Sequence, residues 1–317
     1  MRRLVAIVGP TAVGKSKLAL KLARRFGGEI LSADSRQVYR YMDIGTAKPP
    51  PEERELIAHH LIDLVDPDEE FNLALWLELA HQKLDEIYGR GKLPLLVGGS
   101  GLYIWAFLER WRLPGVPPNP ELREELEEQV KTQGVASLFQ ELRKVDPEAA
   151  RKIDPRNVRR VIRALEIYRV SGRKFSELSL KRPLEADILI LGLHLPRLEL
   201  YRRIDSRVEE MTERGLVEEV DWLLKQGYSP SLPSMSGVGY RQICQYLRGE
   251  LSLSEAIQRM KFETHRFARH QYAWFRLDDE RIHWLKADRE AEGQTLELVQ
   301  KALSATSLPL LRKSEAR

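Results

Sequence analysis

The stretch Gly9-Pro10-Thr11-Ala12-Val13-Gly14-Lys15-Ser16 constrains this chain more than any other. It matches G-x-x-x-x-G-K-[ST] at every fixed position, follows the apolar run Leu4-Val5-Ala6-Ile7-Val8 and precedes a helix-type run over 17–25. Strand, glycine-rich turn and helix together make a phosphate-binding loop. The glycines let the backbone present a nest of N–H donors, and the helix adds its positive N-terminal end. Lys15 supplies a mobile cation and Ser16 a hydroxyl for Mg²⁺. A diphosphate or triphosphate is expected here. What becomes of that phosphate is left open, because kinases, GTPases, ATPases and other transferases share the loop.

The next segments narrow the choice. Gly27-Gly28 ends the first helical pattern, and 29–35 reads as a second strand with a polar end. Ligands of open α/β sheets gather at the carboxyl ends of strands, which brings Asp34 near the loop; Asp34 equally fits a cap on the segment opened by Arg36, Gln37 and Val38. Three consecutive prolines, Pro49 to Pro51, predict an ordered loop or a flap. His59 and His60 have no further metal-type ligand at helical spacing and read as surface or packing side chains. Residues 72–89 repeat apolar positions at about 3.6, an amphipathic helix with Trp76 in the core.

The apolar strand expected over 92–97 ends in Gly98-Gly99-Ser100, where many nucleotide hydrolases carry an acid that holds Mg²⁺. That argues against a motor-type ATPase. It points to a second close approach of backbone to ligand, with the Ser100 hydroxyl on offer, although a plain strand-to-helix turn needs the same glycines.

The proline-rich stretch 114–120 is a linker signal, 121–182 is helical in pattern, and an apolar strand pattern returns over 187–195. The expected fold is therefore an α/β, P-loop NTPase-like parallel sheet core flanked by helices, formed by 1–116 and 184–317. An all-helical domain, 117–183, is inserted into it. Within the insertion Arg156, Arg159, Arg160 and Arg163 form a broad basic ridge interleaved with Val158, Val161, Ile162 and Leu165. Such a ridge suits nucleic-acid phosphates, or salt bridges to Glu124, Glu125, Glu127 and Glu128. Residues 196–225 read as one long helical region in which Arg203 and Arg207 share a face. Over 266–276 aromatics alternate with cations, a composition for stacking on bases and pairing with phosphates, or for an amphipathic helix with a Phe/Trp core face.

Charge permits a polyanionic partner without requiring one, since Lys plus Arg (51) barely exceeds Asp plus Glu (47). The single cysteine, Cys244, rules out an intramolecular disulfide and a cysteine-based zinc site within one chain. No apolar run approaches the roughly 20 residues that span a bilayer, and no signal-peptide pattern opens the chain, so a cytoplasmic protein is expected. Nothing demands more than a monomer.

Eight ordered blocks then carry a resemblance: GPTAVGKS (9–16), SADSRQVY (32–39), MDIGTAKP (42–49), LLVGGSGLY (95–103), RRVIRALE (159–166), RIDSRV (203–208), GVGYRQ (237–242) and RHQYAWFR (269–276). Together they resemble the bacterial tRNA dimethylallyltransferase, or tRNA isopentenyltransferase, family. The resemblance implies transfer of a dimethylallyl group from dimethylallyl diphosphate to N6 of the adenine 3′-adjacent to the anticodon, with release of diphosphate. It implies catalytic roles for Asp34, Lys15, Ser16, Ser100 and Arg207, a diphosphate grip from Gly9 through Ser16, and Mg²⁺ on Ser16. The tRNA anticodon stem-loop would meet Asp34, Ser35, Arg36, Gln37, Ser100, Arg123, Arg159, Arg160, Val161, Ile162, Arg163, Arg269, His270, Gln271 and Arg276. Two departures stand out: many members carry threonine where this chain has Ser16 and Ser100, and the zinc-finger extension of eukaryotic members is absent. The alternative, a small-molecule or nucleotide kinase of the P-loop class, accounts for the loop and Asp34 but not for the basic insertion or the aromatic-cationic helix.

Overall fold

The apolar run that precedes the phosphate loop becomes the middle of a sheet. The computed structural model describes residues 2–178 and 184–305. Among these, six strands pair in parallel: β1 (Arg3–Val8), β2 (Gly28–Ala33), β3 (His59–His60), β4 (Leu93–Gly98), β5 (Asp187–His194) and β6 (Ile282–Lys286), in the order β3-β2-β4-β1-β5-β6. Val5 aligns with Leu95 on one side and with Leu189 on the other. Covered on both faces, Leu4 to Val8 are at most 2% exposed, which is why the strand reads as an unbroken apolar run rather than an alternation.

Helices α1 (Lys15–Phe26), α2 (Pro51–Leu56), α3 (Leu73–Gly89) and α4 (Gly101–Leu108) connect the first four strands and leave the fourth. Leu18, Ala19, Leu22 and Ala23 recur at the helical period and seat α1 on the sheet. Trp76 of α3 is fully buried, as its pattern predicted.

The chain divides into two compact units, one running to Phe107 and from Glu185 onward, the other Leu108–Leu184. The helical unit begins at Leu108, the last residue of α4, ahead of the proline-rich linker, whereas the sequence predicts 117–183. The Leu184 amide donates to the Leu108 carbonyl at 3.3 Å, so the two connections of this unit run together at its base. Its helices are α5 (Pro120–Gln133), α6 (Val135–Val145), α7 (Pro147–Lys152), α8 (Val158–Ser171) and α9 (Phe175–Leu178). Leu126, Leu138, Leu142, Val161 and Leu165 close a core of their own. Asn119, Asp146 and Asn157 cap α5, α7 and α8 by accepting backbone amides.

After β5 the larger unit continues through α10 (Arg197–Glu213), α11 (Leu216–Lys225), a 3₁₀ turn (Ser234–Ser236), α12 (Tyr240–Leu247), α13 (Leu253–Trp274), β6 and α14 (Ala291–Ser304). The single helix predicted over 196–225 is two, because Gly215 takes a left-handed conformation (φ 99°) that a helix interior does not accept. Strands β3 and β6 carry no usable sequence signal. The first has two residues, and the second buries Ile282 and Leu285 three apart, so its alternation is broken. Among the described residues no helix is long and apolar enough to cross a membrane.

Candidate active site

The phosphate loop leaves β1 through Gly9 and enters α1 through Gly14, with a third positive φ at Ala12 (62°), a strained value for a residue with a side chain. This conformation turns the loop around a cavity of about 100 Å³ at the carboxyl ends of β1, β2 and β4. Thr11, Lys15, Ser16, Asp34, Gln37, Gly99, Arg207 and Gln271 line it. An open groove of about 560 Å³ next to Val13, Lys17, Lys21 and Arg203 is larger, but Lys21 is paired there with Glu292 and Arg203 with Glu199. The smaller cavity is where groups capable of chemistry converge.

Two cations meet in it without a bound countercharge. Lys15 donates to the Pro10 carbonyl at 2.6 Å, and the Arg207 guanidinium approaches the Thr11 hydroxyl at 3.5 Å. Burial, and then the charge of Arg207, push the Lys15 ammonium down to about 7; the Asp34 carboxylate opposes this only in part. Burial likewise holds Arg207 below its usual value, against the charges of Asp34 and Glu210. Two partly buried cations that share one carboxylate of the cavity, beside a nest of amides, are suited to receive an anion.

Asp34 satisfies both sequence readings. Its Oδ1 accepts the Arg36 amide at 2.8 Å and closes the turn after β2, while its carboxylate still lines the cavity. Among the described residues Oδ2 has no hydrogen-bond donor and is free to accept a proton. Ser32 donates to Gln37 Oε1 at 2.8 Å, and the Gln37 amide reaches the carbonyls of Thr46 and Ala47, both at 3.3 Å. Ser100 lies just outside the lining. Its hydroxyl accepts the Ser35 amide at 3.3 Å and ties the end of β2 to the turn after β4.

The residues expected to meet tRNA are placed in different surroundings by the fold. Gln271 does not face outward: it is 4% exposed, its Oε1 accepts the Thr11 amide at 2.8 Å and its Nε2 donates to the Gly99 carbonyl at 3.0 Å. It thus straps the phosphate loop to the turn after β4. A methyl group on Gly99 would overlap Gln271 Nε2, so this glycine serves a close approach. The signal was present in the sequence, since Gln271 falls three residues after Ala268 and four before Phe275, on the buried stripe of α13. A polar residue on such a stripe has to be hydrogen-bonded. Arg36 is occupied as well, reaching the carbonyls of Pro233 and Ser234 and the Ser236 hydroxyl. Arg276 forks onto Asp278 at 2.7 and 3.0 Å in a surface pair and, like Arg269 and His270, is exposed.

The arginine ridge of the insertion divides in the same way. Val161 and Ile162 are buried in the helical core and offer no surface to RNA. Arg123 and Arg163 converge on the fully buried Glu166, Arg123 in two contacts at 2.8 and 3.0 Å and Arg163 at 2.5 Å. Of the ridge, Arg163 therefore pairs with Glu166 and Arg156 with Asp154, not with the 124–128 run. Arg159 and Arg160 stay exposed.

Residues that the motifs did not single out also line the cavity. His59 sits on the edge strand β3, its Nδ1 donating to the Ile57 carbonyl at 2.8 Å, and Phe267 of α13 is half exposed. His60 pairs with Glu29. Ser16, in the first turn of α1, lines the cavity and could offer its hydroxyl to a metal ion. Among the described residues no cluster of three or more His, Cys, Asp or Glu gathers to hold one. One hydroxyl beside a carboxylate suits Mg²⁺ that keeps its waters and arrives on phosphate oxygens.

Comparison with known proteins gives this geometry a family. The IPP transferase family model matches residues 37–278, and the isopentenyl transferase model matches 2–63. A tRNA dimethylallyltransferase of Thermomicrobium roseum is 55% identical over 273 residues, covering 86% of this chain and 83% of its own. One from Dehalococcoides mccartyi is 50% identical over 301 residues, covering 95% and 93%. Among solved structures, the tRNA isopentenylpyrophosphate transferase of Bacillus halodurans is 40% identical with a TM-score of 0.71, covering 96% of this chain and 97% of its own. A eukaryotic dimethylallyltransferase acting on tRNA is 29% identical with a TM-score of 0.81, covering 99% and 82%. With half its residues shared with such relatives over nearly its whole length, the chain belongs to the tRNA dimethylallyltransferase (IPP transferase) family of prenyl-transferring enzymes.

Proposed function

We propose that this chain transfers the dimethylallyl group of dimethylallyl diphosphate to N6 of the adenine 3′-adjacent to the tRNA anticodon and releases diphosphate. The observation that carries this reading is the cavity in which two partly buried cations, Lys15 and Arg207, face the single carboxylate of Asp34. Its two halves suit the two ends of the reaction, a departing anion and an amine that must lose a proton.

The amides of Gly9 to Ser16, Lys15 and Arg207 would hold the diphosphate. As the allylic C–O bond breaks, its electron pair stays with the diphosphate, and these donors stabilise the growing charge in place before the step. Ser16 would hold Mg²⁺, which neutralises part of the same charge when bound. The adenine N6 lone pair forms the new N–C bond. The amine is almost non-basic, so Asp34 takes its proton through the carboxylate oxygen that Arg36 leaves unoccupied. To reach the cavity the base must leave its stack, which a single-stranded loop permits at low cost. Arg159 and Arg160 on the insertion, and Arg269 and His270 on α13, are exposed and suited to phosphates. The reading extends to a monomer working in the cytoplasm. The kinase alternative has no support among the relatives.

Mass analysis of adenosines in tRNA incubated with the protein, Mg²⁺ and dimethylallyl diphosphate tests the reading. A prenylated adenosine is expected. Unmodified tRNA, together with phosphoryl transfer from ATP to a small acceptor, would overturn it.

A further inference from the structure

Between β2 and α2, the loop that follows Tyr39 is strained and held by an unusual clamp. Tyr41 (φ 64°) and Ala47 (φ 50°) are both in the left-handed region despite their side chains. Strain of this kind persists only where the surroundings over-determine it, and it gathers at working sites. Here the surroundings are visible. Glu219, on the first turn of α11, accepts the amides of Asp43 and Ile44 at 2.9 and 2.7 Å through Oε2. Through Oε1 it accepts the Gly45 amide at 3.1 Å and the Tyr240 hydroxyl at 2.6 Å. One carboxylate thus holds three successive backbone amides and a phenol. Gly45 permits it, because any side chain there would run into the Tyr240 ring. On the other side, Lys48 is buried against the Tyr39 carbonyl, Asp43 and Asp63.

What the clamp fixes is part of the cavity. Thr46, Ala47 and Pro49 line it, and the carbonyls of Thr46 and Ala47 fix the Gln37 amide, whose oxygen accepts from Ser32. We infer that Glu219 is a positioning residue for prenyl transfer, holding the Thr46–Ala47–Gln37 wall in place so that the acceptor adenine meets Asp34 in a reactive geometry. The inference rests on the function proposed above. It assigns a role in turnover, not in donor binding, because among the described residues the hydrogen bonds of Glu219 go to Asp43, Ile44, Gly45 and Tyr240 and to none of Thr11, Lys15 or Gln271.

The test combines kinetics with amide exchange. Glu219→Gln keeps the size of the side chain but sets an NH₂ group against two of the four donors. It should lower kcat per folded molecule by about 10-fold while the KM for dimethylallyl diphosphate stays within about threefold, the split expected when geometry and not binding is lost. Hydrogen–deuterium exchange of peptides covering 42–48 should quicken in the same variant. Tyr240→Phe removes one donor at constant shape, folds regardless of the carboxylate, and should cost turnover about threefold in the same direction. The proposal is overturned if Glu219→Gln or Tyr240→Phe turns over at the wild-type rate per folded molecule. It is also overturned if kcat falls while the exchange of 42–48 stays as in wild type. A wild-type protein that prenylates no tRNA would overturn the functional reading itself, and this shows before any variant is made.

Discussion

Glu166 in the helical insertion is fully buried and Lys15 in the phosphate loop partly so, and the protein treats the two charges in opposite ways. Burial alone would raise the Glu166 carboxyl, but hydrogen bonds from Arg123, Arg163 and the Asn119 amide outweigh it and hold the carboxyl below its usual value. That charge is answered on every side. Lys15 has a carbonyl and one opposed carboxylate, with a second cation pressing on it, and its ammonium is pushed down to about 7. A buried charge with complete hydrogen bonding belongs to the architecture. One left short of partners costs stability and marks the place where a ligand completes the set.

Glu166→Ala should destabilise the insertion by about 3 kcal/mol, because it leaves two arginines and an amide converging on nothing. Denaturant melts would show it, and a loss under 1 kcal/mol would make the cluster dispensable. Asp34→Ala, which removes the one anion from the cationic cavity, should lower kcat on the order of 10²-fold, about 2.7 kcal/mol, with tRNA affinity little changed. Near wild-type turnover would take Asp34 out of the chemistry.

The sign of the third effect is the sharpest check. Lys15→Met should stabilise the ligand-free protein by about 1 kcal/mol while abolishing turnover, the reverse of the expectation for Glu166. The wild-type stability should also depend on pH in one direction. Lys15 in the folded chain sheds its proton near pH 7, whereas in the unfolded chain it keeps it up to its usual 10.5, so the unfolded state binds more protons in between. Stability therefore rises with pH across that window, and Lys15→Met removes this contribution. Diphosphate, by restoring the charged form, should take up a proton on binding above pH 7. Calorimetry in buffers of different ionisation heat measures it, with Lys15→Met as the control.

The smallest effect concerns the surface. Arg160→Ala should weaken tRNA binding slightly and reduce the slope of log K against log salt by about 1, as expected for one phosphate contact. Arg123→Ala should change stability and leave the slope alone. Equal slopes for both variants would erase the distinction between answered and unanswered arginines.

Which residues could be placed from the sequence followed from how local their constraints are. The phosphate loop, its strand and its helix are specified by neighbours within about 20 residues, and all three formed as expected. Asp34 could be read two ways because a carboxylate at a strand end serves a turn and a cavity equally, and it serves both. Within the blocks RRVIRALE and RHQYAWFR the expected RNA contacts include consecutive residues, 159–163 and 269–271. A helix sends neighbouring residues to different faces, so Arg159 and Arg160 parted from Val161 and Ile162, and Arg269 and His270 from Gln271. Periodicity held that information, and motif identity masked it.

By itself, then, the sequence determined the phosphate loop, the parallel core and the inserted helical unit, because repeating patterns of polarity and a few backbone-bound motifs dictate them. It also carried the family, through eight short blocks in order. Only the tertiary structure decided which charges are satisfied. Glu166 finds Arg123 across 43 residues, Thr11 finds Gln271 across 260, and Glu219 grips a loop some 175 residues before it. Hydrogen bonds of that reach depend on how helices pack on a sheet, and no local pattern encodes them.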